Sequence, residues 1–177
     1  MAETGTASHP GSPFYVAKSA WSSDRPETLV VCCSDGRWHA PIHEFVEHEV
    51  SERADLFAVP GGPAVFDPWN SSFDDARVFD NAMRLFVEHH DLHSIWLIQH
   101  EGCSYYRIKH PELDPAAIAE RQIVDLRRAA EVSRAKYPQL GVRAFLATLQ
   151  NDRAAFLEVD TRIPSRSGFA RYPTTFP

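Results

Sequence analysis

Five residues of this 177-residue chain have types and spacings that can do chemistry together. Cys33, Asp35 and Arg37 fall within "CSDGR"; His100 and Cys103 fall within "HEGC". A His-x-x-Cys pair alone is a weak signal, although in a helical turn an i, i+3 pair shares a face. The specificity comes from adding Cys33. Two cysteines and one histidine make a three-ligand zinc set with a fourth position open, as catalytic zinc sites have; a structural site closes with a fourth protein ligand. Two thiolates neutralise the zinc dication and leave it a weaker Lewis acid than three histidines would. A neighbouring acid is then useful. Arg37 can hold Asp35 through two parallel hydrogen bonds. Asp35 would orient water on the zinc, or bind the zinc itself when no substrate is present.

Cys32 precedes Cys33 in "VVCCSDGRWH". Successive strand side chains point to opposite faces, so the two thiols cannot play the same part. Cys32 fits the apolar run as a small buried hydrophobe.

These residues need elements to carry them. "ETLVVCCSD", "ADLFAVPGG", "SIWLIQH" and "GVRAFLATL" are short apolar runs, as strands of a buried parallel sheet would be. "APIHEFVEHEV", "SFDDARVFDNAMRLFVEHH" and "LDPAAIAERQIVDLRRAAEVSRAKY" are the intervening helices. In the second of these, Val78, Met83, Leu85, Phe86 and Val87 are expected on the core side. In the third, Asp114 is the expected N-cap and Pro115 the first helical residue. "AAFLEVD" makes a short fifth strand after the "QNDR" turn. The alternation predicts an α/β fold, a predominantly parallel sheet flanked by helices. The organisation expected is an N-terminal arm (1–27), one domain (28–160) and an irregular C-terminal tail (161–177). In open sheets of this kind ligands sit at the carboxyl ends of the strands. Cys33 ends the first strand, Gly61 and Gly62 follow the second, and His100 ends the third, all on one predicted edge.

Composition narrows the function classes. The formal net charge is −6, which argues against a nucleic-acid binder. No run approaches the length of a membrane span, and the opening residues lack the features of a secretory signal. Three cysteines, an odd number, fit a reducing compartment, and the expected location is cytoplasmic.

The paired motif resembles the C-x-D-x-R … H-x-x-C signature of the β-class carbonic anhydrases. "ADLFAVPGGPAVF" is similar to that family's second strand and glycine-containing loop, and "NAMRLFVEHHDLHSIWLIQH" to the segment before its His-x-x-Cys pair. The resemblance covers residues 28 to 160. It implies a zinc lyase interconverting carbon dioxide and bicarbonate, and a homodimer with each site near the interface. Cys33, His100 and Cys103 would bind zinc, with Asp35 and Arg37 as the dyad beside it. Related enzymes hydrolyse carbonyl sulfide or carbon disulfide with the same ligands, and a zinc-containing dimeric scaffold with little hydration activity is a further reading. Four positions depart from the pattern. Gly36 stands where the family has Ser, "PGGP" where it has Arg-Asn-Ala-Gly, and Ser104 where it has Gly; "SSDRPETL" offers no match for its glutamine before the first strand. They bear on substrate binding rather than on the metal.

Other signals are weaker. In "HEFVEH", His43 and His48 are five apart and face different ways, as on a solvated helix. "HHDLH" suits a helix end. His39 could carry protons near the site, though a surface histidine is the default reading. Gly61 and Gly62 read as a tight turn. Trp38, Tyr105 and Tyr106 could wall the pocket, fill a dimer interface or pack in the core.

Overall fold

A computed structural model describes residues 13–50, 53–66 and 73–162. The apolar runs form five strands: β1 (Thr28–Cys33), β2 (Asp55–Val59), β3 (Ser94–His100), β4 (Gly141–Gln150) and β5 (Arg153–Glu158). Between them lie α1 (His39–Val50), α2 (Phe73–His89), the short α3 (Ser104–Lys109) and α4 (Pro115–Lys136). A 3-10 turn at Gly62–Phe66 follows β2. The sheet order is β2-β1-β3-β4-β5. The first four strands are parallel and β5 returns antiparallel to β4. The β4–β5 hairpin turns on Asn151 and Asp152, both with positive φ (49° and 62°), the conformation a two-residue type I′ turn needs. The α/β sheet flanked by helices is the architecture expected.

β1 is buried at every residue because helices cover both faces of the sheet. Leu29 and Val31 meet Ile95, Leu97, Met83, Leu126 and Ala129 on the α2/α4 side. Val30 and Cys32 meet Trp96, Ile98, Phe145 and the α1 residues Ile42 and Val46 on the other. Alternation therefore sends Cys32 into the α1 layer, while Cys33 packs with Cys103, Tyr106 and Ile118.

One helix face differs from expectation. In α2 the core side is Phe79 and Met83, with Phe86 and Val87 packed against the core. Val78 and Leu85 are 62% and 55% exposed. These two are seven residues apart and share a stripe about 130° from the buried one.

Asp114 caps α4: its Oδ1 accepts from Ala117 N at 2.8 Å, with Pro115 next. Asp114→Ala should lower stability by about 1 kcal/mol in urea unfolding; an unchanged midpoint would show that the cap contributes nothing.

No described helix is long and apolar enough to cross a membrane. Residues 1–12 of the expected arm and 163–177 of the expected tail lie outside the described residues.

Candidate metal centre

The parallel ladder brings the carboxyl ends of β1, β2 and β3 side by side, with Cys33 paired to Val59 and Cys32 to Ile98. Cys33 closes β1 and His100 closes β3. Cys103 is the N-cap of α3, immediately after the Glu101–Gly102 turn. His100 and Cys103 thus do not share a helical turn as the spacing predicted. The chain runs strand, turn, helix, and Gly102 takes φ +67° to make the turn.

The ligand atoms of Cys33, His100 and Cys103 lie within 4.8 Å of one another, and all three side chains are buried. The two sulfurs are 3.8 Å apart. Sulfurs each about 2.3 Å from a tetrahedral zinc would be separated by about 3.8 Å, so the spacing fits a shared ion. The histidine is prepared for the same task. His100 Nδ1 donates to Glu101 O at 2.8 Å, which leaves the Nε2 lone pair free. Nε2 is buried and has no hydrogen-bond partner. An orphaned acceptor of this kind costs about 1–3 kcal/mol unless something fills it. The three residues fit a soft, tetrahedral divalent cation.

The thiols are electrostatically unequal. Cys103 donates its proton to the Cys33 sulfur and the backbone N–H groups of Asp35 and Gly61 face the same atom; against burial, these bring the Cys33 thiol well below its usual range. Cys103 is pushed up by that shared proton and by burial. The pair therefore holds one proton, which a dication would displace. Burial, and then the Cys33 charge, push Cys32 up to about 12. Cys32 stays a thiol.

Asp35 lies beside this cluster but is not a member of it. Its carboxylate is held by Arg37, with Nε 3.0 Å from Oδ1 and the terminal nitrogen 2.5 Å from Oδ2. The Arg37 backbone N–H adds a bond to Oδ1 at 3.1 Å. The Arg37 side chain, chiefly through these hydrogen bonds, lowers Asp35 to about 2. The Asp35 carboxylate is engaged by Arg37 and is not among the ligand atoms that cluster at the centre.

Around the centre, Trp38 lays its ring 5.0 Å from that of His100, tilted by 31°. His39 Nε2 donates to Cys33 O at 3.2 Å, tying α1 to the strand end. His43 pairs with Glu47 at 3.2 Å on the exposed side of α1, His93 with Glu27 at 2.9 Å, and His90 with Asp55.

The two glycines after β2 do more than turn the chain. Gly61 has φ +79°, and a Cβ there would fall 2.5 Å from the Tyr105 ring. Gly62 has φ +52°, and its Cβ would sit 2.8 Å from Cys33 N and 2.9 Å from Cys32 C. The loop is folded directly onto the β1 end. Gly62→Ala should cost about 2–3 kcal/mol, since the left-handed backbone alone costs about 1–2 and the facing atoms are backbone that cannot rotate away. Gly36→Ser should stay within about 0.5 kcal/mol, as nothing lies within 4 Å of a Cβ there. Denaturant melts of the two variants check both; equal midpoints would show that the close approach is relieved at no cost.

Sequence reading missed three buried polar residues behind the site, Gln99, Gln122 and Asp125, and with them the buried bonds that Tyr106 makes. Gln122 Nε2 donates to His100 O at 2.7 Å, bracing the strand end from α4. The signal was there, for Gln122 and Asp125 interrupt an apolar stripe through Ile118, Leu126 and Ala129.

Among solved structures, the chain is similar to the β-carbonic anhydrase of Aspergillus fumigatus. The match has 12% identity, covers 80% of this chain and 78% of that one, and has a TM-score of 0.51. The two share a fold. β-Carbonic anhydrase isoform I of Trichomonas vaginalis matches at 13% identity over 81% of this chain and 88% of that one, with a TM-score of 0.47. The Coccomyxa β-carbonic anhydrase in complex with acetazolamide matches at 15% identity over 76% and 73%, with a TM-score of 0.48. No protein-family profile and no curated protein matches the sequence.

Proposed function

We propose that this chain is a zinc enzyme that interconverts carbon dioxide and bicarbonate. The observation that carries the reading is the Cys33–His100–Cys103 cluster: sulfurs at 3.8 Å, a buried His100 Nε2 without a partner, and no fourth ligand in the group among the described residues. It sits at the carboxyl edge of a parallel sheet, where α/β folds place their ligands. The fold it shares with the Aspergillus enzyme supports the same reading.

Cys33, Cys103 and His100 Nε2 would hold the metal, and zinc, when bound, supplies Lewis-acid activation of water. The chain's own groups do the rest. Glu101 O fixes the His100 ring by accepting from Nδ1. Trp38 covers one side of that ring and keeps water from it. Asp35, ionised and steered by Arg37, accepts a hydrogen bond from the attacking water and so sets its direction. The reading carries with it a homodimer and a cytoplasmic, reducing setting for three free thiols. One feature favours sulfur analogues as further substrates. Gly61, Gly62 and Pro63 are buried and apolar in the loop where the resembled family carries an arginine. A loop without that charge suits the less polar carbonyl sulfide or carbon disulfide.

Purified protein should contain about one zinc per chain, as a three-ligand site demands. It should hydrate carbon dioxide above the buffer rate in stopped flow, with carbonyl sulfide assayed alongside. Protein free of metal after gentle purification sinks the zinc reading. Full zinc occupancy with no turnover of either substrate replaces the enzyme by a zinc-containing scaffold.

A further inference from the structure

Behind the ligand cluster runs a line of buried polar groups that the proposed chemistry does not use. Gln99, Tyr106 and Asp125 are each at most 1% exposed. Arg121 pairs with Asp125 at 3.0 Å along α4. The Tyr106 hydroxyl donates to Asp125 Oδ2 at 2.9 Å. Gln99 Nε2 donates twice, to the Tyr106 oxygen at 3.0 Å and to Gly61 O at 2.9 Å. Gly61 belongs to the loop whose next residue packs against the Cys33 backbone.

The directions of these bonds follow from one end. A carboxylate only accepts. Tyr106 therefore spends its one proton on Asp125 and offers Gln99 only lone pairs. Gln99 must present its NH2 group there, one hydrogen to Tyr106 and the other to Gly61 O. The flipped amide would set Oε1 against the Gly61 carbonyl oxygen, acceptor against acceptor. In the observed orientation Gln99 Oε1 is buried and unpartnered. An apolar side chain of the same shape would avoid that orphan, so packing alone does not account for a glutamine here. Buried networks of this kind fix geometry when their directions are all determined.

We propose that Gln99 is a positioning residue: oriented by Asp125 through Tyr106, it ties to β3 the Gly61 carbonyl, which within the loop accepts only from Ala64 N at 3.1 Å, and so fixes the loop that wraps the Cys33 end of β1. The position of that loop is then set from α4, an element remote from it in sequence. Any effect on metal binding rests on the zinc reading; the positioning itself does not.

The test uses the full metal-free chain and two variants, Gln99→Met and Tyr106→Phe. Gln99→Met is nearly isosteric and removes the orphaned oxygen together with both donated bonds, so its melting temperature should hold or rise. Amide hydrogen exchange, resolved by NMR, should nonetheless become at least tenfold faster at Gly61 in both variants, with the β3 amides at wild-type rates. A general loss of structure would speed exchange through the whole sheet instead. Wild-type exchange at Gly61 in folded Gln99→Met overturns the proposal, as does a rise spread evenly over β3. If Tyr106→Phe does not fold, Gln99→Met decides alone. Cobalt uptake separates the two readings. The thiolate-to-cobalt absorption band should appear in the wild type and shift in Gln99→Met. No band in the wild type, with Gly61 exchange accelerated as expected in the variants, sinks the metal reading and leaves the positioning standing. A normal band in every variant, with Gly61 exchange unchanged, does the reverse.

Discussion

Replacing Cys33 by serine should empty the metal centre, while Cys32→Ser should leave it loaded. The two thiols are neighbours in sequence and buried alike, yet the strand sends them to opposite sides of the sheet. Cys33 stands 3.8 Å from the Cys103 sulfur, and the proton shared with it and the backbone N–H groups at the strand end favour its thiolate. Cys32 packs among Trp96, Ile98 and Val46, far up its titration range at about 12. A serine at 33 keeps the shape and removes the soft anionic donor. Zinc affinity should fall by at least about a hundredfold, enough for dialysis against a weak chelator to strip the variant. Serine at 32 buries a hydroxyl and should cost about 1–3 kcal/mol of stability, with one zinc retained. Zinc analysis after dialysis and a urea melt read both effects. The opposite pattern would mean that β1 sits one residue out of register and that Cys32 is the ligand.

The second large effect is expected at Asp35. Asp35→Ala should keep zinc and slow carbon dioxide hydration by about a hundredfold or more, the usual scale for losing a positioned acid–base group. Zinc should stay because the carboxylate is not among the atoms that cluster at the centre. Activity should fall because that carboxylate is the anion set beside it by four hydrogen bonds from Arg37. Arg37→Ala should do less. Removing the guanidinium lets the Asp35 pKa climb from about 2 toward 3.8. Both values lie far below neutral, so at pH 7 the group stays ionised and only its orientation is loosened. Zinc content and stopped-flow rates on the same samples separate the roles. Wild-type rates in Asp35→Ala would remove the dyad from the mechanism, and lost zinc would make Asp35 a ligand.

Much of this was legible in the sequence, for reasons that can be given residue by residue. Strands buried on both faces read as unbroken apolar runs, and TLVVCC and SIWLIQH are such runs. The start of α4 was visible because Asp114 and Pro115 act locally. What failed was read locally but decided elsewhere. Val78 and Leu85 looked like core because apolar residues crowd α2 on more than one stripe, and only the sheet's position selects Phe79 and Met83. A spacing of three between His100 and Cys103 suits a helical turn and a tight turn equally, and Gly102 supplies the second. Gly61 and Gly62 announced a turn. Their close approach to Cys33 comes from the pairing of β1 with β2, which no local pattern encodes. The bonds through Gln99 and Tyr106 were invisible for the same reason, although the polar residues inside the α4 stripe marked where to look.

The pairing of β1 with β3 also bears on how the chain reaches this state. Cys33 and Cys103 are 70 residues apart and meet only when that pairing forms. Long-range parallel contacts are slow, because loop closure must precede any gain from them. On the ribosome β1 and β2 emerge well before β3. In that interval the adjacent thiols of Cys32 and Cys33 have no Trp96, Ile98 or Cys103 to cover them. Two cysteines that are fully covered in the finished protein are thus the ones its synthesis leaves waiting longest, and their cover is completed only when β3 docks.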